Sequence, residues 1–562
     1  MLKKTRVFLS SLVFTALTLF FLDFASVLPA WFSELTAIQA VPALLAVNAS
    51  VLAALVVLTL VFGRVYCSVL CPLGVLQDIL GRLSGLFAKK ERKFRFAPAK
   101  TGLRWSLAAV AVIGPLTGMT VLLSLLEPYS IFGRAVTHVF RPVYIAGNNF
   151  LEKLLVQFDL YVLYHFNNSP LSLVALITAA IGLLVVGYLA CKHGRAYCNT
   201  LCPVGTVLGA IGNKPLFGIR IDAEACTRCG RCEARCKSSC IASRSFFVDH
   251  SRCVACMNCL GRCENGALGF SFHFPFAGGK KKKPEEGDTR AQSKESPPIY
   301  CLGSQTAENG GSERNLPSLA VGSFLAASGG NSRLAATGHD SPVNNSRRGF
   351  LLGALAVLPG LLPGVSLASD EKNVLLSRQH PILPPGAGSL ADFRARCTAC
   401  HACVGKCPSR VLKPALLEYG PGGFLQPLMD YSDGFCNYDC TVCTDICPNG
   451  ALRPLSLKEK HYAQIGRVVF VEELCVVRTN GTHCGACAEH CPTQAVTMVP
   501  YANGVTIPAI TPNLCVGCGG CEFICPVRPF RAIFVEGLSE QGVRESIQEE
   551  KREDIQIDSF GF

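Results

Sequence analysis

Four cysteine quartets follow one another in the last third of this chain. The first is Cys397, Cys400, Cys403 and Cys407, followed by Pro408; the last is Cys515, Cys518, Cys521 and Cys525, followed by Pro526. Both read C-x2-C-x2-C-x3-C-P, a spacing in which three close thiolates wrap one 4Fe–4S cubane and the fourth reaches a neighbouring one, so that motifs work in pairs. Between them, Cys436, Cys440, Cys443, Cys447 and Cys475, Cys484, Cys487, Cys491 keep the Cys-Pro ending but are stretched after their first cysteine. Zinc is the simplest competitor. It takes four ligands per ion, usually as two separated C-x2-C pairs, and does not need a triple plus proline four times over. A disulfide framework belongs to small secreted domains with scattered cysteines. The regular outer quartets are expected to pair with each other, and the stretched inner two with each other, as an insertion; sequential pairing is the alternative.

Two more motifs lie upstream. Crossed pairing puts Cys226, Cys229, Cys232 and Cys263 on one cluster, and Cys253, Cys256, Cys259 and Cys236 on a second. Lys237 stands where a proline is usual, and Cys240 follows three residues later, so Cys240 competes with Cys236 as remote ligand; spacing favours Cys236. Further upstream, Gly63, Arg64, Tyr66, Cys67, Leu70, Cys71, Pro72 and Gly74 recur in the same spacing as Gly194, Arg195, Tyr197, Cys198, Leu201, Cys202, Pro203 and Gly205. A pseudo-twofold axis along a membrane normal would bring Cys67, Cys71, Cys198 and Cys202 together. Four thiolates there suit a metal ion or one more cubane; two separate redox-active or structural turns are the alternative.

The surrounding chain positions these turns. Its 562 residues leave room for three or four domains, and 49% hydrophobic against 17% charged residues is too apolar for an ordinary soluble chain. Apolar runs at 7–28, 41–62, 103–126 and 171–191 are expected as four membrane helices, the first retained rather than cleaved, with both repeated turns at cytoplasmic exits. The net charge of +13 fits Lys and Arg flanking such helices, and no basic–aromatic stripe points to nucleic acid. The expected fold class is therefore multi-domain: a four-helix transmembrane region (1–215), a cytoplasmic two-cluster ferredoxin (216–277), a disordered linker (278–345), a signal or anchor helix (346–369) and a four-cluster domain (370–562). Short apolar stretches at 468–471, 496–499 and 532–535 predict strands in that last domain, hence α+β ferredoxin-like folds. Arg347 and Arg348 before Phe350 and an apolar run match a twin-arginine export signal. Export would carry a folded, cluster-loaded domain to the periplasm; cleavage after Ala368 and retention as an anchor remain open.

With these motifs in place, residues 1–275 resemble the NapH-type membrane ferredoxin of periplasmic nitrate reductase systems. Residues 346–540 resemble its NapG/MauM-type periplasmic partner, and the chain resembles a fusion of the two. That resemblance implies a quinol dehydrogenase component in the cytoplasmic membrane, passing electrons from quinol to a periplasmic reductase or cytochrome rather than acting as a stand-alone enzyme. Six 4Fe–4S clusters are expected, with a seventh if the repeated turns share one. Quinol oxidation needs proton acceptors, and Glu34, Glu127, His138 and His165 are candidates by position. An assembly factor for a metalloenzyme is the competing class, because oxidase-assembly proteins carry similar Cys-x3-Cys-Pro turns. Four further quartets and the absence of a Met- or His-rich copper tract weigh against it.

Overall fold

The computed structural model describes residues 2–23, 27–29, 31–87, 93–166, 172–272 and 378–545, all within one of two compact units; the other unit is residues 279–374. The expected linker and twin-arginine segment lie outside the described residues.

The N-terminal half is helical. Helix α1 (Leu2–Leu22) and helix α7 (Leu173–His193) are each 21 residues long, with mean hydropathy 1.8 and 2.5, enough to cross a bilayer by length and composition. The second and third apolar runs do not form single spans. The second breaks at Ala46, after which Asn48 caps α2 (Ala49–Phe62, 14 residues) by accepting from the Val51 N–H at 3.3 Å. The third ends at Pro115 and Gly118, leaving α4 (Thr101–Leu116, 16 residues) separate from a short helix at Val121–Leu126. Composition reports how apolar a run is; the cap and the Pro–Gly stop decide where its helix ends. Between these lies α3 (Pro72–Leu86), whose first seven residues are all buried. Helix α5 (Pro128–Ala135) is entirely buried, and α6 (Arg141–Val156) follows it.

Both ferredoxin regions are built on short antiparallel pairs. Strand β1 (Phe217–Ile221) pairs with β2 (Leu268–Phe272), closing the chain around the two upstream motifs. Strand β3 (Ala463–Phe470) pairs with β6 (Ile533–Val543) around the third and fourth quartets, with the hairpin β4 (Val496–Pro500) and β5 (Thr506–Ile510) between them. The predicted strands at 468–471, 496–499 and 532–535 fall on β3, β4 and β6, each running at most one residue beyond the strand's ends.

The two halves pack together. Lys406 Nζ meets Asp23 Oδ2 at 2.9 Å with both side chains buried, and Ser130 Oγ donates to Thr398 Oγ1 at 2.9 Å. Thr120 Oγ1 donates to the Arg394 carbonyl at 3.0 Å.

Candidate iron–sulfur centres

In every regular C-x2-C-x2-C motif, the residues two and four positions after the first cysteine have left-handed backbone. They are Arg228 and Gly230, Ala255 and Met257, Ala399 and His401, Gly517 and Gly519. Such a turn points successive N–H groups inward, a concavity suited to a negatively charged centre. Glycine fills both positions only in the last motif and one of them, Gly230, in the first upstream motif; at the others side chains are held there against their preference.

The downstream cysteines assemble by consecutive motifs. Cys447 lies beside Cys397, Cys400 and Cys403, and Cys407 lies beside Cys436, Cys440 and Cys443. Cys525 lies beside Cys475, which joins Cys484 and Cys487; Cys491 lies beside Cys515, Cys518 and Cys521. The nested pairing expected above is therefore corrected to sequential pairing. The reason is β3: it begins after the second quartet and pairs with β6 after the fourth, so each pair of consecutive motifs is one folding unit. Motif regularity carries no information about which motifs are neighbours.

Upstream, Cys226, Cys229, Cys232 and Cys263 line one cavity of about 120 Å³. Cys236 faces Cys253, Cys256 and Cys259. Cys240 lies 3.5 Å from Cys236, sulfur to sulfur, and also faces Cys253. Lys237 breaks the proline pattern for a structural reason. Its carbonyl accepts from the Arg195 N–H at 2.8 Å and its ammonium meets Asp78 at 3.3 Å, fastening this ferredoxin to the second repeated turn.

The repeated turns converge as the symmetry argument requires. Cys67, Cys71, Cys198 and Cys202 are each 4% exposed and share one packed core. Most of the shared residues have a visible structural part. Pro72 and Pro203 start helices, with Cys71 and Cys202 at the caps. The arginines exchange: Arg64 donates to the Cys198 carbonyl at 2.8 Å, and Arg195 donates to the Cys67 carbonyl at 2.7 Å. A methyl group on Gly74 or Gly205 would stand 2.2 Å from the Cys67 or Cys198 carbonyl oxygen and strike the incoming guanidinium. Tyr66 donates to Gln39 at 2.9 Å and Tyr197 to the Leu126 carbonyl at 2.6 Å.

Several downstream thiols are poor anions on their own. Burial pushes Cys400 and Cys487 up to about 12, and Cys436 and Cys518 up to about 11. A bound cluster supplies the positive iron that lets such sulfurs lose their protons. Among the described residues, no three His, Cys, Asp or Glu side chains close around a single ion.

The first downstream quartet rests directly on α5. Arg134 donates to the Ala399 carbonyl at 3.0 Å, and a methyl group on Gly133 would stand 2.4 Å from the Cys400 carbonyl oxygen. Glu127 caps α5 by accepting from the Tyr129 N–H at 2.9 Å and from the Ser130 N–H. His138 Nε2 lies 2.6 Å from His401 Nδ1, and His401 Nε2 lies 2.8 Å from the Leu425 carbonyl oxygen. That carbonyl can only accept, so His401 donates from Nε2 and receives at Nδ1. Burial, then the neighbouring His138 and Arg134, holds His401 well below the ordinary histidine range, so it is neutral. Of the other position-based candidates, Glu34 is exposed and His165 pairs with Glu152 at 3.3 Å on the surface. Sequence reasoning missed His401; its place between Cys400 and Cys403, in a left-handed turn, was the available signal.

Paired cysteine turns on α+β ferredoxin scaffolds, repeated along the chain, define an iron–sulfur electron-transfer protein. Comparison with known proteins agrees. The chain matches a 4Fe-4S binding domain family over residues 45–93 and again over 172–221, the two repeated turns, and a 4Fe-4S dicluster domain family over 482–528. It is similar to the methylamine utilization ferredoxin-type protein MauM of Methylobacillus flagellatus, 33% identical over 178 residues, which is 29% of this chain and 74% of the relative. It is similar to the ferredoxin-type protein NapG of Escherichia coli, 30% identical over 197 residues, 32% of this chain and 81% of the relative. Ferredoxin-type protein NapF of Escherichia coli is 27% identical over 175 residues, 30% of this chain and 98% of the relative. No solved structure matches the chain. The chain belongs to the ferredoxin-type 4Fe–4S proteins that MauM and NapG represent.

Proposed function

We propose that the chain is a membrane-bound electron wire, a NapH-like half fused to a NapG/MauM-like half, that carries electrons from the quinol pool to a periplasmic reductase or cytochrome. One observation carries this reading. A single apolar core contains Cys67, Cys71, Cys198, Cys202 and Cys400, with Cys256 and Cys403 packed against it. The upstream ferredoxin, the repeated turns and the first downstream quartet are thus contiguous, with no solvent layer between them. Seven ligand sets follow: the six described by crossed pairing, and Cys67, Cys71, Cys198 and Cys202 as the seventh. Cubanes bound there supply reversible one-electron transfer. The chain's own part is to exclude water, fix the sulfurs and tune the centres through neighbouring charges and hydrogen bonds.

A cavity of about 360 Å³ lies where α6 meets the downstream half, lined by Thr137, His138, Arg141, Ile145, Val404 and Leu428 among others. Thr137 Oγ1 is buried without a partner, and His138 joins the hydrogen-bonded pair that reaches the Cys400–Cys403 turn. A quinol hydroxyl suits those two groups, and this is the place at which the proposed substrate would meet the wire. The test is anaerobic addition of a short-chain quinol to the purified full chain, followed by cluster electron paramagnetic resonance. Reduction of the downstream clusters is expected. Clusters that dithionite reduces but quinol does not would exclude the quinol pool as donor.

A further inference from the structure

A second cavity, of about 570 Å³, lies where the upstream ferredoxin meets the ends of α1, α3 and α7. Five cations line it: Lys3 and Arg82 from the helical half, Arg235, Lys237 and Arg262 from the ferredoxin. The lining holds one carboxylate, Asp78, and that carboxylate is already shared by Arg6 at 2.7 Å, Arg195 at 3.0 Å and Lys237 at 3.3 Å. With Asp78 the one carboxylate among five cations of the described lining, the cavity carries an excess of positive charge. Lys3, Arg82 and Arg262 are exposed at the mouth, while Asp78 and Gln77 are buried at the floor.

The floor carries an independent sign of a missing group. Gln77 is 3% exposed, and its Nε2 is engaged by the Leu73 carbonyl at 3.3 Å and Cys198 Sγ at 3.2 Å. Its Oε1 is buried without a partner. An acceptor in that position calls for a hydroxyl. The walls are largely apolar, with Gly81, Gly85 and Leu86 along α3 and Phe94 opposite. Positive rim, apolar wall and an acceptor at the bottom suit one kind of occupant: an anionic phosphate ester bearing a hydroxyl and an apolar tail. Clusters of basic residues at the cytoplasmic end of membrane helices are where acidic lipid head groups collect.

We infer that this cavity binds a phosphate-bearing anion, supplied as the head group of an acidic phospholipid such as phosphatidylglycerol, which ties the ferredoxin to the helical half. Because its lining comes from both, the occupant bridges Arg262 on one side to Lys3 and Arg82 on the other. The lipid source rests on the membrane reading above.

The experiment uses the full chain purified in detergent. Native mass spectrometry and thermal unfolding are recorded with added phosphatidylglycerol, phosphatidylcholine or inorganic phosphate, for the wild type and for Arg82→Gln with Arg262→Gln. Both arginines are exposed, so the fold is expected to survive. The wild type should retain about one phosphatidylglycerol per chain and unfold at higher temperature with it than with phosphatidylcholine, and the variant should bind it roughly tenfold or more weakly. Equal stabilisation by inorganic phosphate, lost in the variant, would keep the anion site and make free phosphate its occupant. Retention of neither, or equal binding by the variant, overturns the proposal. A carbonate wash of membranes separates the two readings. A chain that stays in the membrane yet binds neither probe removes this site alone, whereas a chain that washes off removes the lipid source and leaves the phosphate arm to decide.

Discussion

The two downstream ferredoxin units use the same turns for different surroundings. In the unit of the first and second quartets, the Cys397–Cys403 turn is enclosed by another part of the chain: α5 behind it, Arg134 and His138 on its backbone and side chain, Asp23 on Lys406. In the unit of the third and fourth quartets, the cysteines pack in a core made of their own strands, with Val468, Val496, Ile507 and Ile533. Cys475 and Cys487 there lie under a thinner layer of protein than Cys397 and Cys400 do. On the proposed reading the difference divides the work: a turn buried against helices would receive charge from them, and a unit that completes its own core would offer its outer cysteines to an acceptor.

That contrast can be broken at either end, and the largest effect is expected from the ligands. Cys400→Ser should stop transfer from the helical half into the downstream clusters, while the upstream ferredoxin still reduces. Cys484→Ser should leave internal reduction intact and abolish delivery to an added acceptor. Stopped-flow bleaching of the visible iron–sulfur bands distinguishes the two.

Next come substitutions at the junction. Lys406→Met leaves a buried carboxylate without its cation, a change that typically costs about 3–5 kcal/mol. The lower end of that range is expected, because Asp23 also accepts from the Val27 and Leu28 N–H groups at 2.9 and 3.2 Å. Gly133→Ala should cost about 1–3 kcal/mol by overpacking against Cys400 and Phe21. Both should loosen the junction, read as lost co-purification of the halves once a protease site is cut in residues 279–374. The iron content of each half should stay unchanged.

The smallest effect is expected in the self-contained unit's surface. Arg478 meets Glu472 at 2.9 Å with both side chains more than 40% exposed. Arg478→Gln should alter the denaturant midpoint by less than about 1 kcal/mol and leave transfer rates unchanged.

How far the sequence disclosed this follows from what each signal encodes. Ligand spacing is local, so the quartets and the Cys-x3-Cys-Pro repeat could be read directly, and the repeat's Gly and Arg matches proved to be the residues that lock the two turns together. Strand positions were also legible, because β-branched runs between cysteine turns have few alternatives. Partnership between motifs was not. It depends on β3 pairing with β6 some 60 residues away, which regularity of spacing does not report. Helix limits in the apolar runs were misjudged because Asn48 and Gly118 act through a cap and a turn that hydropathy averages away. His401 escaped notice because its importance comes from His138, which is 263 positions distant in sequence.

The central claim is that the centres form one path from the upstream ferredoxin through the four cysteines of the repeated turns to the downstream clusters. It is tested most directly in sealed proteoliposomes with the upstream ferredoxin outward, using a membrane-impermeant reductant outside and cluster electron paramagnetic resonance as readout. The account predicts that downstream clusters inside become reduced in the wild type and stay oxidised in Cys202→Ser, whose upstream clusters still reduce. Downstream clusters that stay oxidised in the wild type, or that reduce equally fast in the variant, would contradict it.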